Sequence, residues 1–437
     1  MLPLTGLHEQ ANALLTIAQN IDVGDALKST TIAIDRVLFL IIVSLKSGGR
    51  QAMSKDSATF YRRDFLKFAG KAAAVSAGLF YGCATSMQSG GKSDSGSLRA
   101  VDIHHHYFAP ELINEIQQHG KALGGIEYFP PKQPKDNPYQ IQFPGGRRFS
   151  PDPRMAEVPN RLDAMTKGNV GIAMVEVHTA SVGYELDGPH GETWSNVYNE
   201  AIMNLVKRYP DRFAGIATVP LQDPPRAARV LERAIRDLKM SGVTIASNVV
   251  GKYYNSKDFD PFWKKAEELD VLIIMHPEWV AGADKMDPYS LRSICGNPAD
   301  TTLSVTYMMY TGVFDRFPNL KLALLHGGGY VPYHLGRLDQ GMTGASASSA
   351  IPAKQPPSKY LKNLYFDNLV YRVETVEYLK RVVGADHVMV GTDYPFDLGD
   401  WMAAEKIQQM NCTDAERGAM LHGNARRLLR IPANEPA

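Results

Sequence analysis

Four widely separated segments of this chain each end a short apolar run with residue types that bind metal ions. They are Asp102-Ile103-His104-His105-His106, Met275-His276-Pro277, Leu325-His326-Gly327-Gly328-Gly329 and Gly391-Thr392-Asp393-Tyr394-Pro395. Each apolar run is predicted to form a buried strand. Several strand ends that offer an imidazole or a carboxylate are typical of a (β/α)8 barrel with a metal at its C-terminal face.

From residue 98 onward, short apolar runs alternate with longer amphipathic segments, which predicts repeated βα units and a parallel sheet. The predicted strands are Ala100–His104, Val170–Val175, Phe213–Thr218, Val243–Ala246, Val271–Met275, Leu320–Leu325, Leu364–Asp367 and His387–Val390. The predicted helices include Asn196–Tyr209, Pro225–Met240, Phe259–Leu269, Ala299–Phe314 and Val373–Val383. We therefore predict an α/β fold, a closed (β/α)8 TIM barrel. The Pro-, Gly- and Tyr-rich stretch 108–167 is interpreted as an insertion after strand 1, over the barrel mouth.

Composition restricts the chemistry of the predicted site. A hydrophobic content of 44% and a charged content of 21% are ordinary globular values. The net charge of +1 gives no reason to expect a nucleic-acid partner. The three cysteines, Cys83, Cys295 and Cys412, have no CxxC spacing, which excludes a disulfide framework and a cysteine zinc cluster. Any metal must therefore be held by His and Asp.

The N-terminal part of the chain differs in kind from the rest. Tyr61-Arg62-Arg63-Asp64-Phe65-Leu66-Lys67 precedes an apolar run, which predicts a twin-arginine export signal over residues 53–87. Residues 1–52 are interpreted as a spurious or disordered upstream extension, 88–97 as a linker, and 98–437 as the barrel domain. The enzyme is then periplasmic or otherwise outside the cytoplasm, and lipid anchoring at Cys83 stays an open alternative. The apolar patch 37–43 is too short to span a membrane.

The candidate ligands can share one ion. His104 and His106 are two apart on an extended strand, so their side chains point to one face while His105 points away. With His276 and Asp393 they provide an ordinary four-ligand shell, which leaves a position open for water and lowers the pKa of that water. We assign His326 to proton transfer, with a fifth ligand position or a structural role as alternatives. Asp393 can both bind the metal and orient or deprotonate the water.

Two further polar residues follow the second predicted strand. His178 could line the site and Glu176 could orient a ligand. Both could equally be ordinary residues of the barrel mouth, and we favour that reading.

The ordered motifs resemble those of the amidohydrolase superfamily. The most similar branch is that of aminocarboxymuconate semialdehyde decarboxylase and its salicylate-type relatives. The resemblance covers Ala100 to Ile431 and includes Asp-x-His-x-His, His-Pro, His-Gly-Gly-Gly, Gly-Thr-Asp-Tyr-Pro-Phe and a closing Gly423-Asn424-Ala425. It implies a TIM barrel of the metal-dependent hydrolase type with a mononuclear divalent metal, usually zinc with manganese as an alternative. It also implies non-oxidative decarboxylation of a small unsaturated or aromatic acid. On that resemblance His104, His106, His276 and Asp393 hold the ion, and His326 activates the bound water or moves the proton.

The resemblance also implies substrate-binding arginines. Arg337 would bind a substrate carboxylate in the neighbouring subunit's site, which implies a homodimer. A second arginine would be Arg147 or Arg148, of which we prefer Arg148. Guanidinium groups suit this task because they bind carboxylates through two hydrogen bonds. The alternative for Arg337 is a salt bridge with Asp339 or Glu374.

Other functions stay open at this point. Residues 242–248 contain no lysine, whereas binuclear members of the superfamily carry a bridging lysine on this strand; a one-metal site follows. The same metal site could instead hydrolyse a lactone, ester or amide. A decarboxylase needs carboxylate anchors such as Arg337, whereas a hydrolase of neutral esters does not. A third possibility is an exported metal- or solute-binding protein without catalytic activity.

Overall fold

The computed structural model describes residues 99–131, 139–286, 288–344 and 351–432. The predicted upstream extension, export signal, linker and Cys83 lie outside the described residues. The strands are β1 (Ala100–Tyr107), β2 (Glu127–Phe129), β3 (Gln140–Gln142), β4 (Arg148–Phe149), β5 (Val170–Val177), β6 (Phe213–Thr218), β7 (Gly242–Ala246), β8 (Leu272–His276), β9 (Lys321–Leu324), β10 (Leu364–Asp367) and β11 (Val388–Met389). The α-helices are Pro110–His119, Val158–Lys167, Gly188–Arg208, Pro224–Arg236, Asp260–Glu268, Asn297–Tyr310, Val313–Arg316, Val331–Thr343, Val373–Val383, Ala403–Gln409, Asp414–Gly418 and Asn424–Leu429.

Eight strands form a parallel sheet in the order β1-β5-β6-β7-β8-β9-β10-β11. The sheet closes because the segment that includes and follows β11 pairs with β1. The amide of Ile103 donates to the carbonyl oxygen of Val390 at 2.9 Å, and the amide of His106 donates to that of Tyr394 at 2.9 Å. The predicted (β/α)8 barrel is therefore confirmed, and each of the eight predicted strands overlaps an observed one.

Two predicted helices differ from the observed ones for identifiable reasons. The helix predicted to begin at Asn196 begins at Gly188, because the Asp187 side chain accepts a hydrogen bond from the amide of His190 at 2.9 Å and caps the helix there. The helix predicted over 299–314 is divided into Asn297–Tyr310 and Val313–Arg316, because Gly312 adopts a left-handed conformation with φ of +70°.

The predicted insertion after the first strand is also confirmed. It contains two helices and an antiparallel sheet of β2, β3 and β4, all between β1 and β5. A buried arginine connects the insertion to the barrel. The guanidinium of Arg161 donates to the carbonyl oxygens of His106 and Met155 at 2.9 and 2.7 Å. The insertion therefore fixes the C-terminal end of β1.

Apolar side chains fill the barrel at the starts of its strands. Val101, Ile172 and Leu272 belong to one cluster with Leu428 and Leu429 of the C-terminal helix. Because these strands lie on different sides of the closed barrel, the cluster occupies its interior. Polar residues are left to the opposite end, where the strands finish. In the described part of the chain, no helix has the length and apolar character needed to cross a bilayer.

Candidate metal and active site

The predicted metal ligands meet inside the barrel where the strands end. The ring centroid of His104 lies 5.1 Å from that of His106 and 5.3 Å from that of His276. Asp393 Oδ1 lies 3.2 Å from Nε2 of both His104 and His106. One ion can therefore be shared by residues that are almost 300 positions apart in the chain.

The ligand atoms form two overlapping groups, each with all atoms within 4.8 Å of one another. The first contains His104, His276, His326 and Asp393; the second contains His104, His106 and Glu176. The predicted four-ligand set spans both groups and shares His104 between them. His326 is also within reach of an ion, so the geometry keeps its alternative role as a ligand.

His105 points away from this cluster, as its position on β1 predicts. Its Nδ1 lies 2.8 Å from Asp102 Oδ2, and its ring stacks on Tyr394 with 4.7 Å between centroids. Thr392 Oγ1 donates to the same Asp102 oxygen at 2.6 Å. This buried group ties the start of β1 to the segment that carries Asp393.

Hydrogen bonds outside the cluster fix the tautomers of two predicted ligands. His104 Nδ1 lies 2.9 Å from Asp367 Oδ2, and His276 Nδ1 lies 2.9 Å from the carbonyl oxygen of Pro277 and from Thr179 Oγ1. Carbonyl and carboxylate oxygens only accept hydrogen bonds, so the proton of each ring is on Nδ1. The Nε2 lone pairs of His104 and His276 are therefore free to bind a metal.

The buried atoms at the centre fit a divalent cation. His104 Nε2, His106 Nε2 and Asp393 Oδ1 are buried without a hydrogen-bond partner of acceptable geometry among the described residues. Leaving such a polar atom unsatisfied costs about 1–3 kcal/mol. Imidazole nitrogens and a carboxylate oxygen are ligands for zinc and manganese. A single cation would satisfy all three atoms.

The electrostatics of the cluster favour one positive charge beside the carboxylates of Asp393 and Asp367. Burial works against protonation of His104, but the carboxylates of Asp393 and Asp367 raise its pKa well above the ordinary value. Burial and the neighbouring imidazoles of His106, His326 and His104 keep the pKa of His276 well below its ordinary value. Although burial opposes ionisation of Asp393, His104 and the other imidazoles lower its pKa well below the ordinary value. Metals bind an ionised carboxylate and neutral imidazoles, so a bound cation would take the place of the extra proton on His104.

His326 lies between the cluster and an open cavity. Its ring centroid lies 5.0 Å from that of His104, and its Nε2 lies 3.7 Å from Asp393 Oδ2. It lines a cavity of about 290 Å³ together with His178, His276 and Asp393. His326 and Asp393 both have left-handed backbones with φ of +56°, a conformation that is uncommon outside glycine and is found at functional sites. An imidazole here can transfer a proton to a molecule in the cavity.

The glycines after His326 serve a tight turn. Gly327 and Gly328 have φ of +64° and +76°, and a Cβ atom at Gly328 would lie 2.5 Å from the Phe366 ring. The amide of Gly327 donates to Asp367 Oδ1 at 2.6 Å. Asp367 therefore positions both His104 and the turn that carries His326.

A second cavity of about 300 Å³ lies beside the first and shares His178, His276, Ser293 and Asn297 with it. Arg147 and Arg148 both line this second cavity. The Arg147 guanidinium lies 5.0 Å from the centroid of the Trp279 ring and forms an ion pair with Glu185.

Arg148 is exposed, with its guanidinium 3.9 Å from the centroid of the Phe129 ring and hydrogen-bonded to Gln142. Arg337 is exposed on the helix Val331–Thr343 and lines neither cavity of its own subunit. Asp339, the partner considered for it, accepts from the amide of Ser358 at 2.8 Å. The substrate-binding roles of Arg148 and Arg337 stay predictions.

Three residues that contact or surround the cluster were not predicted as site residues from the sequence. Asp367 is the last residue of an apolar strand, and an acidic residue at such a strand end could have been identified from the sequence, as the predicted ligands were. Glu176, which we interpreted as an ordinary barrel-mouth residue, is fully buried with Oε1 4.0 Å from His106 Nδ1. Burial raises the pKa of Glu176 to about 8. Thr179, the partner of His276, has no recognisable signal in the sequence.

Comparisons with known proteins agree with this geometry. The 2-amino-3-carboxymuconate-6-semialdehyde decarboxylase of Dictyostelium discoideum is 30% identical over 276 residues, covering 63% of this chain and 77% of that protein. The crystal structure of 5-carboxyvanillate decarboxylase from Sphingomonas paucimobilis matches with a TM-score of 0.65 and 24% identity, over 77% of this chain and 100% of that one.

A dihydroxybenzoic acid decarboxylase from a Polaromonas species, solved with bound manganese and the inhibitor 2-nitroresorcinol, matches with a TM-score of 0.62 and 22% identity. The match covers 78% of this chain and 99% of that one. The sequence model of the amidohydrolase family matches residues 101–431, which is most of the barrel domain. The chain therefore belongs to the amidohydrolase family.

Proposed function

We propose that this protein is a metal-dependent carboxy-lyase that removes carbon dioxide from a small aromatic or unsaturated carboxylic acid. The observation that carries the proposal is the placement of His326 beside the ligand cluster, at the wall of a cavity lined by Asp393. The named activities of the Dictyostelium and Sphingomonas relatives support the same reaction class.

The reaction needs one bond broken and one formed. The bond between the acid carbon and its carboxylate breaks, carbon dioxide leaves, and a proton takes its place on that carbon. A divalent cation, when bound, supplies a Lewis acid that binds and polarises oxygen atoms of the substrate. His326 holds and delivers the proton, because its ring lies at the cavity wall and its Nε2 is near Asp393 Oδ2. His104, His106, His276 and Asp393 would hold the cation.

We propose a single cation, zinc, with manganese as the alternative. Three imidazoles and one carboxylate suit both metals. The Polaromonas decarboxylase was solved with manganese, which supports the alternative.

We propose that Arg337 serves the site of a partner subunit in a homodimer. Its exposure on a helix that also presents Tyr333, which is 75% exposed, supports a contact surface there. Mixing an Arg337→Gln chain with an Asp393→Ala chain tests this, since mixed dimers would regain one intact site.

Arg148, with Arg147 next to it, would bind an anionic group of the substrate in the second cavity.

We also propose that the chain is exported by the twin-arginine pathway, with lipid anchoring at Cys83 left open. The support is the sequence from Tyr61 to Lys67 and the apolar run that follows it. Replacing Arg62 and Arg63 with lysine in cells that have this pathway should leave the protein in the cytoplasm. Unchanged export would contradict the proposal.

A product survey by mass spectrometry tests the function. The protein, loaded with zinc or manganese, is incubated with a panel of aromatic and enolic acids, lactones, esters and amides. We expect loss of carbon dioxide from at least one acid, and no loss with the metal-stripped protein. Gain of water by a lactone, ester or amide without any decarboxylation would instead identify a hydrolase.

A further inference from the structure

His178 follows β5 and belongs to neither the predicted ligand set nor the proposed proton transfer. It lines both cavities, together with His276, Ser293 and Asn297. Its ring centroid lies 5.3 Å from that of His106 and 6.1 Å from that of His276. His178 is therefore next to the metal ligands without being grouped with them as a ligand.

We propose that His178 is a specificity-determining residue that hydrogen-bonds a hydroxyl group next to the carboxylate of the substrate. The inference rests on the proposed function for the identity of the substrate as an acid. It adds the residue that distinguishes a hydroxylated acid from one without the hydroxyl group.

The position of His178 supports a polar contact with a bound molecule. Within the described residues, His178 Nδ1 is buried and has no hydrogen-bond partner. The ring also lines both cavities, and its Nε2, which is not among the buried unpartnered atoms, is the nitrogen that can meet a bound molecule. An imidazole in any protonation state offers at least one N–H donor. If its only role were to pack, an apolar side chain would fill the same space without burying an unpaired nitrogen.

The backbone of His178 is held rigidly. Its carbonyl oxygen accepts from the amide of Ser181 at 2.8 Å and from Ser181 Oγ at 2.7 Å. The Phe396 ring lies 5.1 Å from the His178 ring. A side chain on a backbone held in this way, with a ring packed beside it, can distinguish substrates by a single hydrogen bond.

The placement also indicates which substrate group is recognised. The carboxylate that leaves must lie in the first cavity, beside Asp393 and His326. The rest of the acid then extends toward the second cavity, past the residues that line both. A substituent next to the carboxylate therefore faces His178, whereas a distant substituent faces Arg147 and Trp279.

Binding of two inert compounds tests the inference without turnover. 2-Nitroresorcinol carries two hydroxyl groups beside a nitro group that resembles a carboxylate, and nitrobenzene lacks both. Dissociation constants are measured by calorimetry on the manganese-loaded full chain, for the wild type, His178→Leu and His178→Gln. His119→Leu, a change at an exposed histidine outside both cavities, is the matched control.

We expect the wild type to prefer 2-nitroresorcinol and His178→Leu to reduce that preference about tenfold, as expected for one lost hydrogen bond. His178→Gln should retain most of the preference, and His119→Leu all of it. Metal content should be the same in all four proteins.

Three results would overturn the inference. The first is an equal change in affinity for both compounds, which would mean that His178 only forms part of the cavity wall. The second is loss of metal from His178→Leu, which would mean that His178 supports the metal ligands. The third is a wild type without preference, including one that binds neither compound. If the preference behaves as expected but no acid is decarboxylated, His178 still recognises a hydroxyl group in the cavity and the proposed reaction fails.

Discussion

The two ends of the barrel differ in their buried side chains, which are apolar at the strand starts and polar at the strand ends. At the strand starts, Val101 and Ile172 pack with Leu428 in an apolar cluster closed by the C-terminal helix. At the strand ends, His104, His106 and Asp393 are buried with polar atoms that have no partner in the described structure. The first arrangement removes apolar surface from water, whereas the second keeps polar atoms poorly satisfied. One end therefore stabilises the fold, and the other end sacrifices stability for binding.

The backbone shows the same difference. Both ends contain left-handed residues other than glycine. At the strand starts they include Asn169 and Asp270, which are residue types that adopt this conformation readily. At the strand ends they include Trp279 and Tyr371, whose bulky side chains make it costly. The cost is accepted where side chains must face the cavity.

The largest expected effect comes from removing a carboxylate at the polar end. Asp393→Ala should reduce bound metal and decarboxylation to background, because the only carboxylate among the four proposed ligands is lost. Metal content by mass spectrometry and turnover of the surveyed acid measure this. The free energy of unfolding of the metal-free protein should also fall, because His104 loses its buried carboxylate partner. Asp414→Ala, at a fully exposed carboxylate, is the control. Retained metal and activity would remove Asp393 from the site.

The next effect separates proton transfer from metal binding at the same end. His326→Gln should lower kcat by about 10²- to 10⁴-fold, as expected for loss of a general acid, while metal content stays that of the wild type. Steady-state kinetics and metal analysis are made on the same preparation. Loss of metal in proportion to activity would instead show that His326 is a ligand, the alternative that its position among the ligand atoms keeps open.

The apolar framework of the barrel was the part that the sequence predicted best. Short apolar runs and amphipathic periodicity depend on burial, which acts on every strand and helix, and they predicted all eight barrel strands. Helix starts were less readable. The start at Gly188 depends on one capping contact from Asp187, a local bond that periodicity does not report.

At the polar end, the sequence predicted only those residues whose chemical role restricts the residue type. Only a few residue types bind metal ions, so the pattern in the sequence predicted His104, His106, His276 and Asp393 as ligands. Residues that act through a hydrogen bond are less restricted. Thr179 bonds His276 with a hydroxyl that many residues could replace, and Arg147 and Arg148 are separated only by the orientation of their side chains. Only the folded chain shows these partners.

A cavity at the apolar end should affect stability and leave the site intact. Leu428→Ala should lower the free energy of unfolding by about 2–5 kcal/mol, because the buried side chain leaves a void inside the barrel. Denaturant unfolding of the metal-free protein measures this. Leu303→Ala, at a partly exposed leucine, should cost roughly 0.5 kcal/mol or less. Metal affinity should stay within twofold of the wild type in both variants; a large loss in Leu428→Ala would show that the two ends are coupled.

The smallest effect is the sharpest test of the polar end, because it changes one proton and hardly any volume. Asp367 Oδ2 lies 2.9 Å from His104 Nδ1, and Oδ1 accepts from the amide of Gly327 at 2.6 Å. In Asp367→Asn, the amide oxygen can keep the bond to Gly327, which leaves an NH₂ group facing Nδ1. That nitrogen must then accept, so the proton moves to Nε2 and blocks the metal.

Metal affinity should therefore fall by about 10- to 100-fold in Asp367→Asn, measured by competition with a chelator of known affinity. Asp386→Asn, at a carboxylate that is 74% exposed, should leave it unchanged. The free energy of unfolding of the metal-free protein should change less than in Leu428→Ala, because no cavity forms. An unchanged affinity in Asp367→Asn would mean that the tautomer of His104 is not set by this bond. The polar end would then tolerate replacement of a hydrogen-bond partner, and its difference from the apolar end would rest on the ligands alone.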